Sequence, residues 1–77
     1  MILVSQSRRR HFPYETAYGV RAEAGAYCED NDTTYPWGIV DVNTCVCIAG
    51  YETEAQALCE LDHILKAYES GVKVYRI

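Results

Sequence analysis

Three consecutive arginines stand beside a histidine and two aromatic residues near the start of the sequence. The run Arg8–Arg10 is followed directly by His11, Phe12, Pro13 and Tyr14. Guanidinium groups form paired hydrogen bonds with phosphate or carboxylate, and aromatic rings stack on nucleobases. Pro13 fixes its own backbone and restricts the residue before it, which gives the run a defined path. The pattern predicts a site for an anionic, nucleotide-like ligand, and solvated surface charge is the alternative.

The alternation of a strand would place Arg8 and Arg10 on one face and turn Arg9 away from them. We therefore expect Arg8, Arg10, His11 and Tyr14 to contact the ligand. Arg9 is expected to contribute less.

A second candidate surface is the acidic and aromatic segment from Glu29 to Trp37. Aromatic residues with one polar end are typical of recognition surfaces, so Tyr35 and Trp37 are expected to contact a partner protein. The chain has 7 tyrosines and 1 tryptophan in 77 residues. The alternative is that these rings cover the edges of a thin core.

Metal binding has weaker support. Cys59 and His63 are four residues apart in a predicted helix, and Cys45 or Cys47 in a neighbouring strand is the nearest candidate for a further ligand. Zinc sites of small domains usually have closely paired ligands, and the sequence has no such pair. We expect no metal and no cofactor, with a small metal-binding domain as a less favoured alternative.

The acidic loop has part of a calcium-binding spacing. Asp30, Asp32, Thr34 and Asp41 occupy its first, third, fifth and twelfth positions, but Tyr35 stands where a glycine is required. A turn-forming acidic loop explains the same residues.

Catalytic patterns are also weak. Cys59 and His63 resemble a nucleophile and its base, but helix neighbours at this spacing seldom reach attack geometry. The sequence shows no orienting acid, no oxyanion donor and no phosphate-binding glycine loop. We expect the protein not to be an enzyme.

The elements that must position these residues follow from periodicity. Strand-like segments occupy residues 2–6, 16–28, 37–42, 45–49 and 72–77, and Pro13 marks a strand end or edge. A helix is predicted over residues 53–69, because Thr53 and Gln56 form a capping box and Ser70-Gly71 supplies a stop. Its apolar stripe comprises Ala57, Leu58, Leu61, Ile64, Leu65 and Tyr68. The order predicts an α+β fold, in which one helix covers a small antiparallel sheet of four to five strands with a C-terminal strand.

Length and composition predict a single domain over residues 1–77. Hydrophobic residues make up 49% of the chain and charged residues 23%, as in ordinary globular proteins. No apolar run approaches the roughly 18 residues of a membrane span, and no signal peptide is recognisable, so a cytoplasmic protein without membrane contact is expected. Four reduced thiols are therefore the default, with a disulfide framework as the alternative. So short a domain is usually reinforced, and the strand at 72–77 needs a partner, so we expect a homo-oligomer.

Charge is distributed unevenly. The formal net charge is −4, and residues 23–62 contain no Lys or Arg. An acidic chain is a poor candidate for duplex DNA binding, because that affinity comes from neutralising many phosphates. Separated charge instead suits an anion site at one end or pairing between protomers.

Three local patterns resemble a group of small proteins encoded by phages and prophages of Gram-positive bacteria. They are a first strand ending in Ser5-Gln6, Pro13-Tyr14-Glu15 after a basic turn, and a helix beginning Tyr51-Glu52-Thr53-Glu54-Ala55. The resemblance implies phage origin and a helix packed on a small sheet. The segment from Cys28 to Trp37 does not match the group.

We therefore expect a small, non-enzymatic phage protein that interferes with a host defence system in the host cytosol. It would either bind a host defence protein through the acidic and aromatic surface, as anti-CRISPR inhibitors do, or sequester a nucleotide signal at the arginines. The alternative is a structural or regulatory phage protein without a ligand.

Overall fold

The computed structural model describes residues 1–14 and 19–77. Its strands are β1 (Ile2–Val4), β2 (His11–Pro13), β3 (Val20–Cys28), β4 (Thr33–Asp41), β5 (Cys47–Tyr51) and β6 (Val74–Arg76). Helix α1 spans Glu54–Glu69, and a short 3-10 helix, Glu29–Asn31, lies between β3 and β4. The α+β class is confirmed. The first residues of the segment predicted over 16–28 lie outside the described residues.

The strands form two three-stranded sheets, with orders β2-β1-β6 and β3-β4-β5. The prediction of one antiparallel sheet is wrong on two counts, because β1 and β6 are parallel and the sheets are separate. Gln6 explains the separation. Its N–H donates to the Ile48 carbonyl at 2.8 Å, and its Oε1 accepts the Gly50 N–H at 2.8 Å. This residue occupies the outer edge of β5, so the two sheets are joined without merging.

Helix α1 begins and ends as predicted. Thr53 Oγ1 accepts the Gln56 N–H, and Gln56 Oε1 accepts the Thr53 N–H, both at 3.2 Å. Gly71 adopts the left-handed conformation, with φ 78°, and its N–H donates to the Tyr68 carbonyl at 3.1 Å. Both caps are set by residues close in sequence, which is why the helix was predictable.

The two sheets and the helix share one core. It consists of Leu3, Phe12, Tyr14, Ile39, Ile48, Ala49 and Ile64. The apolar stripe of the helix is narrower than expected, since Ala57 and Ile64 are buried but Leu58 and Leu65 are exposed. Strand β6 is tied to the helix by the Tyr75 hydroxyl, which donates to Glu60 Oε2 at 2.6 Å.

Cys28 and Cys47 form a disulfide, so the expectation of four reduced thiols is wrong for this pair. Strand β3 continues through Gly25 and ends at Cys28, where the segment predicted over 16–28 also ends. Cys28 and Cys47 then both contact the small apolar cluster around Val40 of β4, which lies between their strands. Cys45 is not beside Cys47 in a strand, because it lies exposed in the preceding turn with φ 62°.

Among residues 1–14 and 19–77, no helix combines the length and the apolar character needed to cross a membrane.

Candidate ligand-binding groove

The outer face of the β2-β1-β6 sheet carries the candidate site. Leu3 is completely buried, so its neighbours Ile2 and Val4 point to the opposite face of β1. The register places residues of β2 and β6 on either side of them. Two rows of side chains therefore cross the outer face: Pro13, Ile2 and Val74 in one, and His11, Val4 and Arg76 in the other.

These rows form a groove of about 470 Å³, which we call the basic groove. It is lined by Ile2, Val4, Arg8, His11, Val74 and Arg76. Its volume lies within the range of roughly 300–1,000 Å³ that is typical of small-molecule sites. The aliphatic residues form the floor, and the two arginines and the histidine supply polar groups around it.

The turn between β1 and β2 brings Arg8 to the groove. Ser5 closes the turn: its N–H donates to the Arg10 carbonyl at 2.9 Å, and its carbonyl accepts the Arg8 N–H at 2.9 Å. The buried Ser5 Oγ also accepts the Arg10 N–H at 3.2 Å. Arg8 has a left-handed backbone, with φ 64°, which breaks the alternation of a strand at this point.

Arg9 and Arg10 point away from the groove to the 3-10 helix. Arg10 Nε donates to Asp30 Oδ1 at 2.8 Å, and its Nη2 lies 3.5 Å from Glu29 Oε2. Arg9 Nη1 donates to the Asp30 carbonyl at 3.1 Å. The expectation that Arg8 and Arg10 share a face, with Arg9 turned away, is therefore wrong. The turn divides the run, so that only Arg8 lines the groove.

Asp30 is the anchor of this turn. Besides Arg10, it accepts a hydrogen bond from Ser7 Oγ at 2.6 Å, and its side chain is only 14% exposed. The hydrogen bonds from Ser7 and Arg10 lower the pKa of the Asp30 carboxyl, because they favour its ionised form. The 3-10 helix after β3 thus holds the turn that carries Arg8.

Arg8 and Arg76 differ from Arg10 and Arg21 in their surroundings. Arg10 and Arg21 each lie within 4.0 Å of a carboxylate. Among residues 1–14 and 19–77, no carboxylate lies that close to the side chain of Arg8 or Arg76. Both residues are exposed, as is His11. The groove therefore contains two guanidinium groups whose charge is not neutralised by a neighbouring carboxylate among the described residues.

The remaining predicted site residues lie elsewhere. Tyr14 is 9% exposed and contributes to the core, with its ring edge-to-face against Tyr68 at a centroid distance of 5.2 Å. Trp37 is half-buried in β4 of the other sheet. Tyr35, also in β4, lies over Gly50, and its hydroxyl accepts a hydrogen bond from Asn31 Nδ2 at 2.7 Å. Of the six predicted residues, only Arg8 and His11 meet in the groove.

Sequence reasoning missed Ile2, Val4, Val74 and Arg76. Alternation in the segment 72–77 does place Val74 and Arg76 on one face. Nothing local indicates that this face continues onto β1, because the parallel pairing joins distant parts of the chain.

The acidic loop and the Cys59–His63 pair are explained by local contacts. Asp30 is bound as described, and Asp32 accepts a hydrogen bond from the Tyr27 hydroxyl. Cys59 Sγ lies 3.8 Å from His63 Nε2. Within the described part of the chain, no three His, Cys, Asp or Glu residues are grouped to hold a metal ion.

Comparison with protein-family models, with curated proteins and with solved structures finds no match.

Proposed function

We propose that this is a non-enzymatic binding protein that holds a small anionic, nucleotide-like ligand in the basic groove. The observation that carries the proposal is the position of Arg8 and Arg76 over an aliphatic floor, without a carboxylate partner among the described residues.

The charge of the groove favours a phosphate-bearing ligand. Hydrogen bonds from guanidinium to phosphate are charge-assisted and about twice as strong as neutral ones. Arg8 and Arg76 approach the groove from a turn and from a strand of the same sheet, so one ligand can contact both. His11 adds a further donor beside Val4.

The floor favours a ligand with a flat or apolar part. Ile2 and Val74 are cross-strand neighbours, and they are 39% and 42% exposed. A nucleobase or a similar ring covering them would remove this aliphatic surface from water. Phosphate at the arginines and a ring on the floor together describe a nucleotide.

The size and charge of the protein favour a small ligand over a nucleic acid. The groove holds about 470 Å³, and the whole chain has a net charge of −4. A long polyanion would be repelled by the acidic segment between residues 23 and 62, whereas a ligand confined to the groove would not reach it. From the resemblance to phage proteins, we propose that the role is to sequester a nucleotide signal of a host defence system.

Calorimetry with nucleoside mono- and diphosphates and cyclic dinucleotides tests the proposal, with the corresponding nucleosides as controls. Arg8→Ala and Arg76→Ala should each weaken nucleotide binding about ten- to hundredfold, as expected for a hydrogen bond to a charged group. Arg9→Ala is the matched control, since Arg9 contacts the Asp30 carbonyl outside the groove. Unchanged binding by the Arg8→Ala/Arg76→Ala double variant, or equal binding of nucleosides, would contradict the proposal.

A further inference from the structure

Strand β6 presents a row of backbone groups with no partner in the described residues. On its inner side, the Lys73 carbonyl accepts the Ile2 N–H at 2.9 Å, and the Ile77 N–H donates to the Val4 carbonyl at 3.2 Å. Residues 73, 75 and 77 therefore direct their backbone groups toward β1. Because these directions alternate along a strand, the N–H and C=O groups of Val74 and Arg76 point outward.

The other sheet edges are protected. Strand β2 ends in Pro13, which has no N–H, and β5 is covered by Gln6. Strand β3 carries the Arg21–Glu23 ion pair, and Gly25 interrupts its extended backbone with φ 64°. Charges, prolines and irregular backbone are the usual means of preventing edge-to-edge pairing. Strand β6 has no proline and no irregular backbone, and its one cation, Arg76, lies in the groove.

We propose that a second copy of this chain pairs with β6 in antiparallel fashion, about a two-fold axis at Tyr75. With this register, Val74 of one copy lies opposite Arg76 of the other, and each outward N–H meets an outward C=O. The edge is thus complementary to itself, as a two-fold interface requires. Val74, which is 42% exposed, lies at the pairing and loses contact with water on association.

The pairing would complete the ligand site. The pairing extends each row of side chains on the outer face across the axis. The row that contains Ile2 and Val74 of one copy is followed, on the other side of the axis, by Arg76 and Val4 of the second copy. Each groove thereby gains the second copy's Arg76 beside its aliphatic floor. This step rests on the proposed function, and it narrows the ligand class to nucleotides with two or more phosphates, which can contact both Arg76 residues.

Like charges also couple the dimer to the ligand. The two Arg76 residues are diagonal neighbours across the axis and repel each other when no anion is present. A bound polyphosphate removes this repulsion. Because the polyphosphate then binds the dimer more tightly than the monomer, it should stabilise the dimer.

Sedimentation equilibrium without nucleotide provides the first test. We expect a dimer at tens of micromolar and a monomer for Val74→Pro, because proline removes an outward N–H that β1 does not use. Val74→Thr is the matched control, since it keeps the N–H and should remain dimeric. A monomeric wild type, or a dimer unaffected by Val74→Pro, would overturn the proposal.

Cross-linking tests the register even if Val74→Pro fails to fold. In a Cys45→Ser/Cys59→Ser background, Tyr75→Cys should form a disulfide with the same position of the second copy. Residues that face each other on the axis have Cα atoms about 4.5 Å apart, which a disulfide can span. Val74→Cys should not, since its copies would be diagonal at about 7–8 Å. The opposite result, or no cross-link from either variant, contradicts the pairing. A dimer that passes both tests but binds no nucleotide would refute the proposed function and leave the interface intact.

Discussion

At the scale of single residues, Asp30 connects the arginine run to the rest of the molecule. Its carboxylate binds Ser7 and Arg10, and its carbonyl binds Arg9, so Arg8 alone is directed to the groove. The sequence led to the prediction of a defined site at the arginines, because Pro13 and His11 follow them, and that prediction stays untested. It did not indicate the division of the run, since that depends on an acid 20 residues away from Arg10.

Asp30→Asn should lower the melting temperature at neutral pH but not in strong acid. The folded-state pKa of Asp30 is depressed, so its stabilising effect is fully present above the ordinary pKa of an aspartate, about 3.9. That effect is lost as the pH falls through the lower folded-state pKa. Thermal melts from pH 7 down to about pH 2 should therefore show the wild type and the variant converging.

Asp62→Asn is the matched control for this experiment, because Asp62 forms an exposed ion pair with Lys66 on the helix. It should have little effect at any pH. If the Asp30→Asn difference persisted at the acid end, the carboxylate would not be its source.

Gly50 is a second residue with a specific requirement. A Cβ atom at this position would clash with the ring of Tyr35, because it would lie well inside van der Waals contact. We expect Gly50→Ala to reduce the free energy of unfolding by about 1–3 kcal/mol, the usual cost of overpacking. Denaturant unfolding measures the change.

The double variant Gly50→Ala/Tyr35→Ala identifies the cause. Removing the ring removes the clash, so the combined loss should be smaller than the sum of the single losses. Strict additivity would mean that the ring is not the obstacle. Tyr35 was predicted from the sequence as a binding residue, with coverage of the core edge as the alternative, and its contact with Gly50 gives it a packing role.

At the scale of elements, the helix was predictable and the sheets were not. Helix α1 depends on Thr53, Gln56 and Gly71, which lie within or next to it. The strands were found with shifted ends, but their pairing depends on contacts such as those of Gln6 with β5. The groove is formed where β1 pairs with both β2 and β6. Only the β2 side could be inferred from the sequence, because β2 follows β1 directly along the chain whereas β6 is far from it.

Thr53→Ala should destabilise the protein by about 1 kcal/mol, since it removes the side chain that accepts the Gln56 N–H. Thr53→Ser keeps the hydroxyl and is the control. Equal losses for both variants in denaturant unfolding would show that the cap does not contribute.

At the scale of the whole molecule, the Cys28–Cys47 disulfide joins the two outer strands of the β3-β4-β5 sheet. The bridge closes a loop with a sequence separation of 19 residues. Closing a loop of this size with a disulfide stabilises the folded protein by roughly 3 kcal/mol, mainly because the cross-link lowers the conformational entropy of the unfolded chain. A reductant should therefore lower the melting temperature by many degrees.

The Cys28→Ser/Cys47→Ser variant should reproduce that loss and become insensitive to reductant. Cys45→Ser/Cys59→Ser, which changes the two unpaired cysteines, should keep the wild-type response. A wild type with the same melting temperature in reductant would show that the bridge contributes nothing to stability.

The parallel pairing of β1 with β6 also determines the order in which the molecule can fold. The β3-β4-β5 sheet is a meander of sequence neighbours, and α1 follows it directly, so this half needs only short loops to close. Strands β1 and β6 stand near opposite ends of the described sequence, and their contact carries the largest loop-closure entropy in the fold. On a ribosome, β1 is free to pair with β2 early, but it cannot pair with β6 until β6 has been synthesised, which is after the residues of the meander. The groove would therefore be the last part of the protein to form, and a chain cut short before residue 74 could keep a folded meander while having no binding site.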